Sequence, residues 1–171
     1  VLLNKRLVLA RPGEAVVLTV ITARKYFMEI RPFGDEVRPQ VFHSHAACLE
    51  AGFILEPNWA AGEKPTAKPC LDCVVAVHGA AGADGAPEFN LEHGGSRYAL
   101  AMWSIASPSA YKSAAKALLT AKQLYLKRLV TQPWRLSAVK EKFGSNVVFV
   151  PAITPAATNP EALASFFESI V

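Results

Sequence analysis

Apolar residues fall mostly in short β-type runs, with one clear helical period near the end of the chain. Ala15-Val16-Val17-Leu18-Thr19-Val20-Ile21-Thr22 is β-branched and nearly continuous, the pattern of a buried strand. After Arg24-Lys25 comes the aromatic-rich run Tyr26-Phe27-Met28-Glu29-Ile30-Arg31. The pair of runs predicts a hairpin turning near Ala23 to Lys25. Pro32-Phe33-Gly34-Asp35 reads as a turn, and Val37 to Phe42 as a short strand that Pro39 pushes to an edge.

Residues 43–95 have a different texture. They hold all three cysteines and all four histidines, and show little helix or strand period. They read as an irregular insert, with Gly79 to Pro87 as a mobile Gly/Ala-rich loop. Regular pattern returns at Tyr98 to Ile105, a strand. Ser107-Pro108 is a helix start, a serine cap with proline at the first helical position. Ala110, Ala114, Ala117, Leu118 and Ala121 form the inward stripe of that helix, with Lys112, Lys116 and Lys122 toward solvent. Leu124 to Val130 and Trp134 to Lys140 read as extended. Phe143-Gly144-Ser145-Asn146 is a turn into the strand Val147 to Val150. Asn159-Pro160-Glu161 predicts the cap of a last helix, with Leu163, Phe166, Phe167 and Ile170 at i, i+3, i+4, i+7.

These elements predict one domain over 1–171, of the α+β class and mainly β. An OB-like five-stranded barrel fits the order: an irregular Cys/His insert, one helix between the third and fourth strands, and a C-terminal helix. Other small α+β sheets fit the same string.

Composition narrows the class. With 171 residues, 51% of them hydrophobic and 19% charged, the chain can bury a sizeable core. A disordered tail, a disulfide-stapled miniprotein and a coiled coil are excluded. No apolar run approaches the ~20 residues of a membrane span, so no membrane partner is expected. Leu2 to Ala10 is broken by Lys5 and Arg6 and lacks the order of a secretory leader. An odd count of three cysteines favours a reducing compartment, the cytoplasm.

Cys70-Leu71-Asp72-Cys73 is the first chemical candidate. As a C-x-x-C knuckle it would turn two thiolates toward one metal ion, and tetrahedral zinc needs two more ligands. Cys48 is one candidate; His43, His45, His78 and His93 compete for the fourth place. Zinc would explain how an insert without a packed core stays ordered. Free thiols are the competing reading, and a redox pair ranks below both, because Pro69 precedes the motif and Val74-Val75-Ala76-Val77 follows it.

The net charge of +4 hides segregation. Between Ser107 and Lys142 eight basic residues stand against Glu141 alone; residues 1–31 hold six against two acids; Cys48 to Glu92 holds two against seven. Aromatics interleave with the basic parts. Cations that track a phosphate backbone, with aromatic faces for bases, are the ingredients of single-stranded nucleic-acid binding. The contact candidates are Arg24, Lys25, Arg31, Lys127, Arg128 and Arg135 for phosphates, and Tyr26, Phe33, Tyr125 and Trp134 for stacking. The bland alternative is a solvated helix face with core aromatics. No H-E-x-x-H, P-loop, G-x-G-x-x-G or G-x-S-x-G occurs, and His43-Ser44-His45 lacks an orienting acid, so no enzyme is predicted.

The order of the pieces carries a resemblance over roughly residues 15–153. A strand pair ending in Arg24-Lys25-Tyr26 is followed by lone Cys48 with Gly52 and Pro57, then the C-x-x-C and a Gly-rich loop. A strand then runs into a Ser-containing helix start (Tyr98 to Ser109), a Lys-rich helix and a hairpin, Trp134 to Val150. This resembles bacteriophage and prophage single-stranded-DNA-binding proteins of replication and recombination. The resemblance implies an OB-like fold, single-stranded DNA (or RNA) as partner, a homo-oligomer, and the cytoplasm of an infected or lysogenic host. It also implies a zinc-holding loop. Here Val74 stands where that pattern has proline, and His93 lies where it has a fourth cysteine, so the implied ligand set is Cys48, Cys70, Cys73 and His93. The competing functional class is a structural or assembly protein of a phage particle or other oligomer.

Overall fold

The computed structural model describes residues 2–3, 7–8, 13–32, 34–79, 86–124 and 128–170. Two short strands, β1 (Leu2–Leu3) and β2 (Leu7–Val8), pair with each other. The main sheet then takes β3 (Val16–Glu29), β4 (Val41–Phe42), β5 (Ala67–His78), β6 (Leu91–His93), β7 (Ser96–Ile105), β8 (Pro133–Phe143) and β9 (Asn146–Pro155). Helix α1 (His45–Glu50) lies between β4 and β5. A longer helix links β7 to β8: α2 (Pro108–Ala110), a π-helical turn Tyr111–Ala115, and α3 (Lys116–Leu124). Helix α4 (Glu161–Glu168) ends the fold.

The expected hairpin at Ala23 to Lys25 is not formed. Residues 16–29 are one strand, with a register shift between Val20 and Thr22 as β3 pairs with β5. On the other side, Val16–Thr19 pair with β8, and Phe27 and Met28 pair with β4. The bulge lets one strand bend while holding partners on both sides.

The antiparallel sheet runs β6-β7-β5-β3-β8-β9, with β4 beside β3. It is an open sheet of seven strands and not a closed five-stranded barrel. Among the described residues β7 and β9 are not paired, and the helix stands against the free side of β9. There the Ser113 hydroxyl donates to the Pro151 carbonyl at 2.6 Å.

Residues 43–95 are not an irregular insert either. They supply β5, a central strand, because Val74 to Val77 continue an apolar run that pairs with β3 and β7. Pro69 is tolerated because β7 pairs only with Leu71–His78, leaving the Pro69 end free on that side. Of the predicted strand 37–42 only Val41–Phe42 form. Of the run Leu124 to Val130, predicted as extended, α3 takes in Leu124 and Leu129–Thr131 is a 3-10 turn, while residues 125–127 lie outside the described residues. Most of the predicted loop at 79–87 lies outside the described residues.

Three apolar clusters hold these layers together. Leu18, Val20, Leu71, Cys73 and Val75 meet Ala114 and Leu118 of the helix and Trp134 and Leu136 of β8. On the other side of the sheet, Ala164 and Phe167 of α4 pack on Ile21, Ala76 and Tyr98. Burial of a side chain like Phe167, fully enclosed here, contributes about 2–3 kcal/mol. Cys48 of α1 joins Phe27 and Ala67 in the third cluster.

Asn159 does not cap α4, whose N-cap is Pro160. Its amide instead donates to Thr19 Oγ1 (3.0 Å) and to the Val130 carbonyl (2.7 Å). Thr19, fully buried, lies 2.8 Å from His78 Nε2. With its oxygen accepting from Asn159, its one proton is available to a neutral imidazole. Burial lowers the His78 pKa to about 4 from 6.5. An unfolded chain therefore takes up a proton as the pH falls through 6.5 while the folded chain does not until about 4. Stability is full above pH 6.5 and declines with acid between these values. Urea midpoints measured across this range will show the decline, and His78→Gln will remove the part due to this residue. An equal acid slope in that variant would contradict the assignment.

Candidate nucleic-acid interface

The predicted metal ligands are not brought together. Cys70 and Cys73 lie on strand β5, so an odd spacing of three sends their side chains to opposite faces. A knuckle needs a turn, and this segment is extended. Cys73 packs in the main core beside Leu71 and Val75. Cys70 pairs across the strand with Tyr26, Cys48 sits in the α1 cluster, and His93 on β6 stacks on Phe166 at 4.6 Å. Four residues in four settings do not fit one tetrahedral ion. Among the described residues no group of three or more His, Cys, Asp or Glu side chains could hold a metal. Burial pushes the Cys73 thiol up to about 12 and raises those of Cys48 and Cys70. Ser44, imagined beside two histidines as a nucleophile, caps α1 by accepting from the Ala47 amide at 3.0 Å.

The predicted nucleic-acid contacts divide sharply. Arg31 is ion-paired with Glu29 and Asp35, both at 3.0 Å. Arg128 is ion-paired with Glu161 (2.8 Å) and Glu168 (2.6 Å), fastening the turn after α3 to α4. These two arginines are neutralised by neighbours. Trp134 is 5% exposed and belongs to the core, so it is not a stacking platform. Tyr26 is half-buried, and burial with Cys70 and Asp72 nearby pushes its hydroxyl up to about 12. Phe33, Tyr125 and Lys127 lie outside the described residues.

Arg24, Lys25 and Arg135 are exposed and, among the described residues, have no ion pair. They do not form one stripe. Arg24 stands opposite Asp72 in register, one position beyond Ala23, which packs on the main core. It therefore points to the sheet's outer side. Arg135 alternates with the buried Trp134 and Leu136 and points outward as well. Lys25 is on the other side, its ammonium 5.1 Å from the Phe27 ring centroid. It lines a cleft of about 440 Å³ shared with Tyr111 and Lys116 of the helix.

A further group was missed in the sequence. The ribbon β8–β9 runs past the core before turning at Gly144-Ser145, where Gly144 takes φ +60°. Register pairs Lys140 with Phe149 and Lys142 with Val147. These four share one face of the ribbon, the continuation of the face that carries Leu136 and Ile153 in the core. Beyond the core no described residue covers that face. Phe149 is 62% exposed and Val147 50%. Glu141, the acid between the two lysines, alternates to the reverse face with Val148. Local sequence reads Val147 to Val150 as an ordinary strand; only the pattern Lys-x-Lys opposite Val-x-Phe hints at a mixed face.

Comparisons with protein-family models, curated proteins and solved structures found no match. Among the described residues no helix is long and apolar enough to cross a membrane.

The buried thiols give a direct check. In the folded protein all three cysteines should react with a thiol reagent only as fast as the chain opens, and within seconds once denaturant is added. A thiol that reacts at once in the native protein would contradict their placement. Trp134→Ala should cost about 3–5 kcal/mol in urea unfolding, as removal of a core indole.

Proposed function

We propose that this protein binds single-stranded nucleic acid, DNA in the first place, and performs no catalysis itself. The observation that carries the proposal is the free ribbon face where Phe149 lies exposed beside Lys140, with Lys142 one step along. A ring open to stacking beside cations that have no ion pair among the described residues meets both needs of a flexible strand: a face for the base and charge for the phosphate.

Strand order supports the same reading. The five long strands run β7-β5-β3-β8-β9, the helix falls between the third and fourth of them in sequence, and the first is bulged and shared by both halves. This order is the one an OB-like meander would have if it were opened at the β7–β9 seam, which supports the reading without closing the barrel. OB folds engage strands with the sheet and with the connection between the last two strands, which here is the extended ribbon. Arg24 and Arg135 on the outer side add further phosphate contacts. Recruitment to phage-type replication or recombination rests on the resemblance of residues 15–153. Three unpaired buried thiols agree with the cytoplasm of a host cell. An assembly role is the second reading, and the exposed apolar edge of β9 is what favours it.

Titration of a fluorescein-labelled oligo-dT, read by anisotropy, tests the first reading. Binding should weaken steeply as salt rises. Phe149→Ala should lose about 1–3 kcal/mol, roughly 5- to 150-fold. Lys140→Ala and Lys142→Ala should each flatten the log–log salt slope by about 0.7. No binding at low salt, or binding indifferent to salt, would sink the proposal.

A further inference from the structure

The edge of the main sheet at β9 is managed along most of its length and bare at one end. Pro151 and Pro155 have no N–H to give to β8, and both pair with it in register, so both occupy positions whose backbone groups face away from the partner strand. By alternation Val147, Phe149 and Ile153 face the same way. The two prolines therefore remove donors from the outward row. At Pro151 the outward carbonyl is already taken by the Ser113 hydroxyl. Val150 beside it is 4% exposed.

The stretch Asn146 to Val150 keeps an open row that no proline interrupts, with the N–H and C=O of Val147 and Phe149 pointing outward. Among the described residues no strand lies beyond it. Val147, Val148 and Phe149 are 50%, 39% and 62% exposed, on both faces of the ribbon. An apolar, uncharged edge of this kind pairs with another strand.

We propose that this edge pairs antiparallel with the same edge of a second copy of the chain, about a two-fold axis at Val148. The register follows from which groups are free: Val147 of one copy faces Phe149 of the other, and each such pair exchanges two hydrogen bonds, four in all. Charge favours a second copy as occupant. Across a two-fold each residue meets its own segment, where like charges would repel, and Asn146 to Pro155 contains no charged residue at all. The first outward proline, Pro151, ends the zipper. A two-fold normal to the sheet keeps the same faces together, so Lys140, Lys142 and Phe149 of both copies fall on one side. The interface is small, and the dimer is concentration-dependent.

Sedimentation velocity of the full chain without nucleic acid, over a wide concentration series, tests this independently of any ligand. Wild type should pass from monomer toward twice the monomer mass. Val147→Pro removes an outward donor that the β8–β9 hairpin does not use. Val148→Glu sets two carboxylates face to face on the axis. Both should shift the dissociation constant upward by tenfold or more, with far-UV dichroism and tryptophan fluorescence unchanged. Val148→Cys should cross-link to a dimer under mild oxidation, since opposed residues in a non-hydrogen-bonded pair approach within disulfide reach. A monomer throughout the series, as expected if the edge serves a strand of another protein, would overturn the proposal. So would a dimer that ignores both substitutions, or a Val148→Cys chain that does not cross-link. Oligo-dT binding is scored apart from these results, so either idea can fail alone.

Discussion

Everything in this fold hangs on β3 having to serve two partners in opposite halves. Its first residues pair with β8, and nearly its whole length pairs with β5. A regular strand that did both would extend as a flat ribbon. The extra residue at Ile21 turns it, and Ile21 is then free to face Phe167 and Ala164 of α4. Thr19, two residues earlier, sits between β5 and β8 and holds the buried chain from Asn159 to His78. One bulge thus fixes the sheet's curvature, the seat of the last helix and the place of the buried polar network beside it.

The same constraint explains which parts of the fold were legible in the residues. The strand at Tyr98 to Ile105, the Ser107 cap (accepting from the Ala110 amide at 3.2 Å), the turn at Gly144-Ser145 and the terminal helix are set by local rules, and local rules found them. Arg24-Lys25 looked like a turn because adjacent cations seldom sit inside a strand. They can do so because β8 leaves β3 at Thr19 and β4 joins it only at Phe27, so that side of the strand is open between them. No periodicity reports where a neighbouring strand stops. Cys70 to Cys73 misled for a related reason. Ligand-type residues at a short spacing suggest a knuckle, yet Val74 to Val77 already carried the signal of a strand that extends back through both thiols.

Charge, too, is sorted by packing more than by sequence. The basic segment after Ser107 holds one cation, Arg128, that is consumed in bracing the chain against Glu161 and Glu168. Arg31 is consumed similarly at Glu29 and Asp35. A count of lysines and arginines treats these as equal to Lys140 and Lys142. They differ because an arginine between two carboxylates already has its charge met, and a phosphate would have to displace them. The aromatic residues divide by the same rule. Trp134 is on the ribbon where it crosses the core, and Phe149 is on the same ribbon face where it leaves the core, so the larger ring is structural and the smaller one is free.

That division gives the ribbon its character. Its core-facing side changes in pattern where the cover ends. Where the helix and β3 lie against it, the face is Leu136 and Ile153. Past that cover, keeping an apolar face costs solubility unless it is mixed with charge, and here lysines stand opposite the valine and the phenylalanine. The reverse face places Glu141 beside Val148 to similar effect. The edge itself has no such protection beyond the reach of Pro151 and Ser113. An arm that is charged on its faces and bare along its rim has two surfaces to offer: the face, which we propose takes a flexible polyanion, and the rim, which we propose takes another strand.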